Sequence, residues 1–155
     1  MNNNKPKIWL GILIAIVLLG LFIWPKLNNP DNEKISKWDD LDIECLTNGH
    51  SNPAQHIHPN LEILIGGQKQ IIPTDIGITK SCMAEVHTHD DSGKIHIESN
   101  RASKQFILDQ FFALWGEKIE KDGYNLEMTV DNQPNSESGN LILRDNQKIL
   151  LKYEK

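Results

Sequence analysis

The sequence predicts an α+β domain, mainly antiparallel strands with one packed helix, preceded by an N-terminal transmembrane helix. Three observations carry this expectation. Residues 8–24 form an uncharged apolar run, and several later stretches alternate apolar and polar residues with the period of half-buried strands. Residues 103–115 have the broad apolar side of a packed helix.

Residues 1–7 hold Lys5 and Lys7 and no acidic group, and read as a short cytoplasmic tail. The apolar run Ile8–Trp24 is 17 residues long and is closed by Pro25 and Lys26. A spanning helix needs about 17–25 residues. The bulky Leu21-Phe22-Ile23-Trp24 ending lacks the small-x-small pattern of a cleavage site, so the run reads as an uncleaved signal anchor. Trp9 and Trp24 would sit near the two interfaces. The positive-inside rule then places the C-terminal domain outside the cytoplasm of a single-pass membrane protein.

Residues 25–34 are a polar linker, with Asn28-Asn29-Pro30-Asp31-Asn32 rich in turn formers. Residues 35–155 form one extracytoplasmic domain, large enough for a real core. From residue 31 onward, 13 Lys and Arg (all 16 but Lys5, Lys7 and Lys26) face all 21 Asp and Glu, a balance of −8. Such a surface argues against nucleic acid and anionic lipid as partners and suits attraction of cations. Protein partners leave no mark in the sequence.

Cys45 and Cys82 are the two cysteines. In an extracytoplasmic domain with no Cys-x-x-Cys motif, a single pair is most simply a disulfide. It would tie the start of the domain to the loop before residue 86.

Residues 56–65 read as a strand, with Ile57, Leu61, Ile63 and Ile65 on one parity and His56, His58, Asn60 and Glu62 on the other. Pro59 lacks an N–H and marks an edge or a bulge. Gly66-Gly67 turns the chain, and Gln70–Pro73 returns. Residues 86–98 read as a hairpin closed by the turn Asp90–Gly93. In that register His87 faces His96, His89 faces Lys94 and Glu85 faces Glu98, so three imidazoles and two carboxylates share one side. Val86, Thr88, Ile95 and Ile97 take the other. Asn100 or Ser103 would cap the helix at 103–115, whose apolar side holds Phe106, Ile107, Phe111, Leu114 and Trp115, and Gly116 would end it. Residues 126–130, 141–143 and 149–153 are terminal strands, separated by a polar turn at 132–140 and by Asp145-Asn146.

Five of the six histidines fall in x-apolar-x strand motifs: His56/His58, His87/His89, and His96 with Glu98. His-x-His on a strand sends two imidazoles to one face, where both can reach one ion. Neutral imidazole suits zinc, copper, iron and nickel. Glu62, Asp90 and Glu98 are the carboxylates placed to orient a histidine through its other nitrogen or to shuttle a proton. A lone histidine would read as a hydrogen-bonded surface group, but five at alternating positions point to a metal site. His50 stands outside the pattern. Without a Met or thiolate ligand the site suits type-2 copper or zinc, and softness and compartment put copper ahead. Whether the two strand groups meet in one site or stay apart is left open.

His56, His58 and Glu62 resemble part of the first cupin motif. The second cupin motif is absent around His87 and a helix falls where a jelly roll would continue, so a cupin fold is not expected. A closer likeness is to small membrane-anchored extracytoplasmic proteins of bacteria and archaea. These carry His-x-His, then Ile-Pro-x-x-Ile-Gly-Ile (here Ile72–Ile78), then His-Thr-His-Asp-x-x-Gly-x-Ile-His-Ile-Glu (here His87–Glu98). The likeness covers roughly residues 45–116 and implies an intact domain, but no particular reaction.

Three functions are consistent with these residues. The first is a metal-binding protein that holds copper or zinc for transfer or storage. The second is a metal-dependent hydrolase or lyase, in which a three-histidine ion activates water. The third is a metal-free interaction module that senses pH through imidazole.

Overall fold

A computed structural model describes residues 30–46 and 52–155. The expected cytoplasmic tail and signal anchor lie outside these residues. No helix among the described residues is long and apolar enough to cross a membrane.

The chain divides into two compact units at Lys37/Trp38. Residues 30–37 are what is described of the first. They belong to helix α1 (Pro30–Asp40), which begins inside the stretch read as linker. Asp31 and Glu33 in its first turn and Lys37 later complement the helix dipole, and Lys37 pairs with Glu33 one turn away at 2.9 Å. Among the described residues there are thus two α-helices, where the sequence pointed to one packed helix.

The second unit is α+β with mostly antiparallel strands. A five-stranded sheet holds β3 (Asn60–Ile65), β4 (Gln68–Lys69), β8 (Asn125–Val130), β9 (Gln133–Asn135) and β10 (Lys148–Glu154), in the order β4-β3-β10-β8-β9. The β3–β10 pair is parallel, and the other pairs are antiparallel. Leu61 and Ile63 of β3 lie beside Ile149 and Leu151 of β10, and all four are buried. Gly66 and Gly67, both with positive φ, close the β3–β4 hairpin as a two-residue turn.

The polar turn at 132–140 contains β9. Asp131 and Asn132 both adopt positive φ and close a second two-residue hairpin, with Val130 opposite Gln133. Pro134 is tolerated because β9 is an edge strand.

The second helix, α2, spans Leu108–Trp115, so its start moves from residue 103 to 108. Neither Asn100 nor Ser103 caps it. The side-chain oxygen of Gln110 accepts the Ile107 N–H at 2.8 Å, and the Gln110 amide donates to the Leu41 carbonyl at 2.7 Å. Residues 106 and 107 are extended instead, held by Leu108 N–H to Leu141 O at 3.0 Å and Leu143 N–H to Phe106 O at 2.8 Å. Residues 141–143 therefore pair with the stretch read as the helix start and join none of the three sheets. The buried residues of α2 are Leu108, Phe111 and Phe112, and Gly116 in the left-handed region ends it as expected.

A three-stranded antiparallel sheet carries the histidines: β2 (Gln55–Ile57), β7 (His96–Ser99) and β6 (Val86–His87), with β7 central. Pro59 is where the 56–65 strand passes from this sheet to the larger one. The antiparallel register nonetheless continues through it: Ile95 N–H donates to Pro59 O at 2.9 Å, Asn60 bridges Lys94, and Leu61 N–H donates to Gly93 O at 2.8 Å. Lys94 therefore faces Asn60 in place of the expected His89.

The third sheet is a short pair, β1 (Cys45–Leu46) with β5 (Met83–Ala84). The Cys45–Cys82 disulfide lies beside it, with 5.6 Å between the α-carbons.

Candidate metal centre

The register of the small sheet builds the site. His56 lies opposite Glu98, and His96 opposite His87. One step beyond β2, His58 falls level with His96, and their ring centroids are 4.7 Å apart. His89 reaches His96 from the other side, also at 4.7 Å. Strand β7 thus brings together the two histidine pairs, whose meeting the sequence left open.

Two triads result, His56/His58/His96 and His87/His89/His96, each offering three ligand nitrogens within 4.8 Å of one another. Either can hold a metal ion. His96 belongs to both.

Two of the imidazoles are oriented by groups behind them. His87 is fully buried, and its Nδ1 lies 2.9 Å from the Ala84 carbonyl oxygen. A carbonyl only accepts, so the proton is on Nδ1 and the lone pair on Nε2. That Nε2 is 3.2 Å from Nε2 of His89. Two imidazole nitrogens on one ion stand roughly 2.9–3.4 Å apart, from square-planar to tetrahedral geometry. On the other side, His56 Nε2 is 3.2 Å from Oε1 of Glu98, a fully buried carboxylate. With Nε2–H donating, Nδ1 of His56 carries the lone pair. A carboxylate behind a ligating histidine raises its basicity and fixes its orientation.

His96 is half-buried, and its Nδ1 is buried with no hydrogen-bond partner among the described residues. Burial, with His89 and His58 nearby, pulls its pKa down to about 4. His58 is also lowered, by burial first and then by His56. Both are therefore neutral near pH 7, the form that binds metal.

The other expected carboxylates stand differently. Asp90 is exposed; its Oδ1 accepts the Ser92 N–H at 3.0 Å, and bonding to Ser92 holds its pKa below the usual range. It shapes the turn and belongs to neither triad. Glu62 is exposed on β3 and lines an open groove of about 540 Å³ together with His58, Lys94 and Lys148. It too is outside both triads.

Glu85 departs from the expected shared face. Its backbone keeps the register, since Glu98 N–H donates to Glu85 O at 2.8 Å. Its carboxylate, however, takes Lys104 Nζ and Ser99 Oγ, each at 2.5 Å, and the Glu44 N–H at 2.9 Å. Glu85 and Lys104 are both buried, so this carboxylate is neutralised by an ion pair within the domain.

Supporting residues that sequence reasoning missed lie behind β6. Thr88 is fully buried; its hydroxyl donates to Pro73 O at 2.9 Å and accepts the Ile76 N–H at 3.1 Å. Gly77, with φ of 73°, packs so tightly on Val86 O that a Cβ there would overlap it. The Ile72–Ile78 motif was therefore a usable signal. It is the backing of the histidine strand.

Compared with family models, curated proteins and solved structures, the chain matches none.

Proposed function

We propose that the chain is a membrane-anchored extracytoplasmic protein that binds a transition-metal ion through strand-borne histidines, copper ahead of zinc, for transfer or storage. The observation that carries this reading is the pair of three-nitrogen clusters around His96, each within 4.8 Å. The disulfide supports an oxidising compartment, and the apolar run Ile8–Trp24 supports the anchor. The histidine and Ile-Pro-x-x-Ile-Gly-Ile motifs support kinship with small membrane-anchored proteins that share them. The all-imidazole donor set fits copper(II) or zinc.

The test is elemental analysis of the full chain, purified in detergent without a histidine tag. Near-stoichiometric copper or zinc, lost in His96→Ala, is expected. No metal after incubation with either ion and dialysis would overturn the reading.

A second reading, metal-dependent hydrolysis or lyase chemistry, draws on the groove beside His58, since a three-histidine ion leaves a position open for water. Glu62 lines that groove, and Glu98 contacts His56. Metal-dependent turnover of a model ester, lost in His58→Ala, would favour it. The pH-sensing alternative is weakened by His96, which titrates at about 4, below the range such a switch needs.

A further inference from the structure

We infer that the two triads are alternative seats for a single ion, exchanged through His96, which stays bound while the other two ligands change. The inference rests on the metal-binding reading above and adds how the ion is held and moved.

The geometry carries it in three steps. First, His96 sits on the central strand, with His58 and His89 on either side at equal centroid distances of 4.7 Å. An ion seated with His56 and His58 therefore keeps His96 while it trades those two ligands for His87 and His89. Second, a neutral imidazole has one lone pair. The two seats therefore compete for that lone pair, and a second ion could bind only if the remaining ring N–H also lost its proton. Third, the buried surroundings offer little to offset that charge, since Asp145, which accepts the His58 backbone N–H at 2.9 Å, is exposed to solvent. Glu98 is the buried carboxylate in contact with the cluster, and the other buried one, Glu85, is already paired with Lys104. Two divalent ions this close repel strongly in a partly desolvated site.

The exchange balances without a co-reactant. Two metal–nitrogen bonds, to His56 and His58, break, and two, to His87 and His89, form. Each imidazole enters and leaves as the neutral base, so no electron moves. Each seat is prepared from behind, His56 by Glu98 and His87 by the Ala84 carbonyl. A shared ligand lets an ion cross the sheet face without release to solvent, which suits a protein that receives cargo on one side and surrenders it on the other.

The test is metal stoichiometry of the full chain in detergent, titrated separately with Cu²⁺ and Zn²⁺ and dialysed. The wild type is expected to hold one ion. His56→Ala/His58→Ala and His87→Ala/His89→Ala are each expected to retain one ion at lower affinity, with His96→Ala weakened at least tenfold relative to either. Because His87 is buried, His87→Gln/His89→Gln serves as a second form of that variant, with circular dichroism to confirm folding. Two ions in the wild type would overturn single occupancy. A folded pair variant with no ion would show only one seat and overturn the inference, while leaving the metal-binding reading intact. No ion in the wild type would remove that reading itself.

Discussion

The Nδ1–H of His87 donates to the carbonyl oxygen of Ala84 at 2.9 Å, from three residues further along the chain. The bond spans the bend at Glu85, between β5 and β6, so a local kink sets the tautomer of a buried histidine of the cluster. In the metal-free protein at neutral pH, nitrogen NMR should find the His87 proton on Nδ1 and the lone pair on Nε2. Adding zinc should shift Nε2 and leave Nδ1 protonated. A proton on Nε2 would contradict the geometry.

Glu98→Gln keeps the shape of a buried group but removes the charge behind His56. Losing such an outer partner typically costs about 10–100-fold in metal affinity. Calorimetric titration of the folded variant should fall in that range. Unchanged affinity would mean that Glu98 does not act through His56.

The pH dependence follows from His96. Its folded pKa is about 4, against about 6.5 in an unfolded chain. Between those values the unfolded state binds the extra proton, so metal-free stability falls as pH drops from about 6.5 to about 4. The contribution is complete above that window, and the lowered pKa of His58 acts in the same direction. Urea midpoints should decline across this window and decline less in His96→Asn. A flat profile would overturn the assignment.

Gly93→Ala tests the seam between the sheets. Gly93 has φ of 88°, and a Cβ there would overlap the carbonyl of Leu61. Positive φ alone costs a non-glycine residue about 1–2 kcal/mol, and the overlap adds to it. At Gly66, φ is 55° but no atom stands within 4 Å. Gly93→Ala should therefore lower Tm clearly more than Gly66→Ala does. Equal shifts would mean that the seam relaxes without cost.

Removing the disulfide releases a constraint across 37 residues of sequence. The chain-entropy account gives about 3–4 kcal/mol for a loop of this length. Cys45→Ser/Cys82→Ser should show a correspondingly lower denaturant midpoint, with a slope that is no shallower because the unfolded chain is free to expand. A loss well under 1 kcal/mol would mean that the unfolded chain is already constrained there.

Much of this site was legible because its order is local. Alternation and turn chemistry placed His87 opposite His96, and compartment logic paired Cys45 with Cys82. The meeting of His56/His58 with His96 was not legible, because pairing between strands about forty residues apart leaves no trace in local periodicity. The helix start was misplaced for a related reason. Residues 103–107 have helix-compatible composition, but Ile107 finds a bridge partner in Ile142, and that tertiary pairing overrides a weak local preference. Glu85 obeyed its strand register in the backbone and escaped it in the side chain, because Lys104 supplies a buried countercharge that no alternation pattern contains.

The parallel pairing of Asn60–Ile65 with Lys148–Tyr153 has a consequence for biogenesis. The strand leading out of the histidine sheet finds one of its neighbours only when the far end of the chain arrives. Until then β3 offers an open edge of the kind that recruits other chains, and the long loop to be closed makes this a late step. A ribosome or translocon delivering the protein from its first residue would thus expose His56 and His58 well before their supporting layer exists. Those histidines would be open to solvent before the fold that orders them exists, and a chaperone at the exit site would have its greatest effect in that interval.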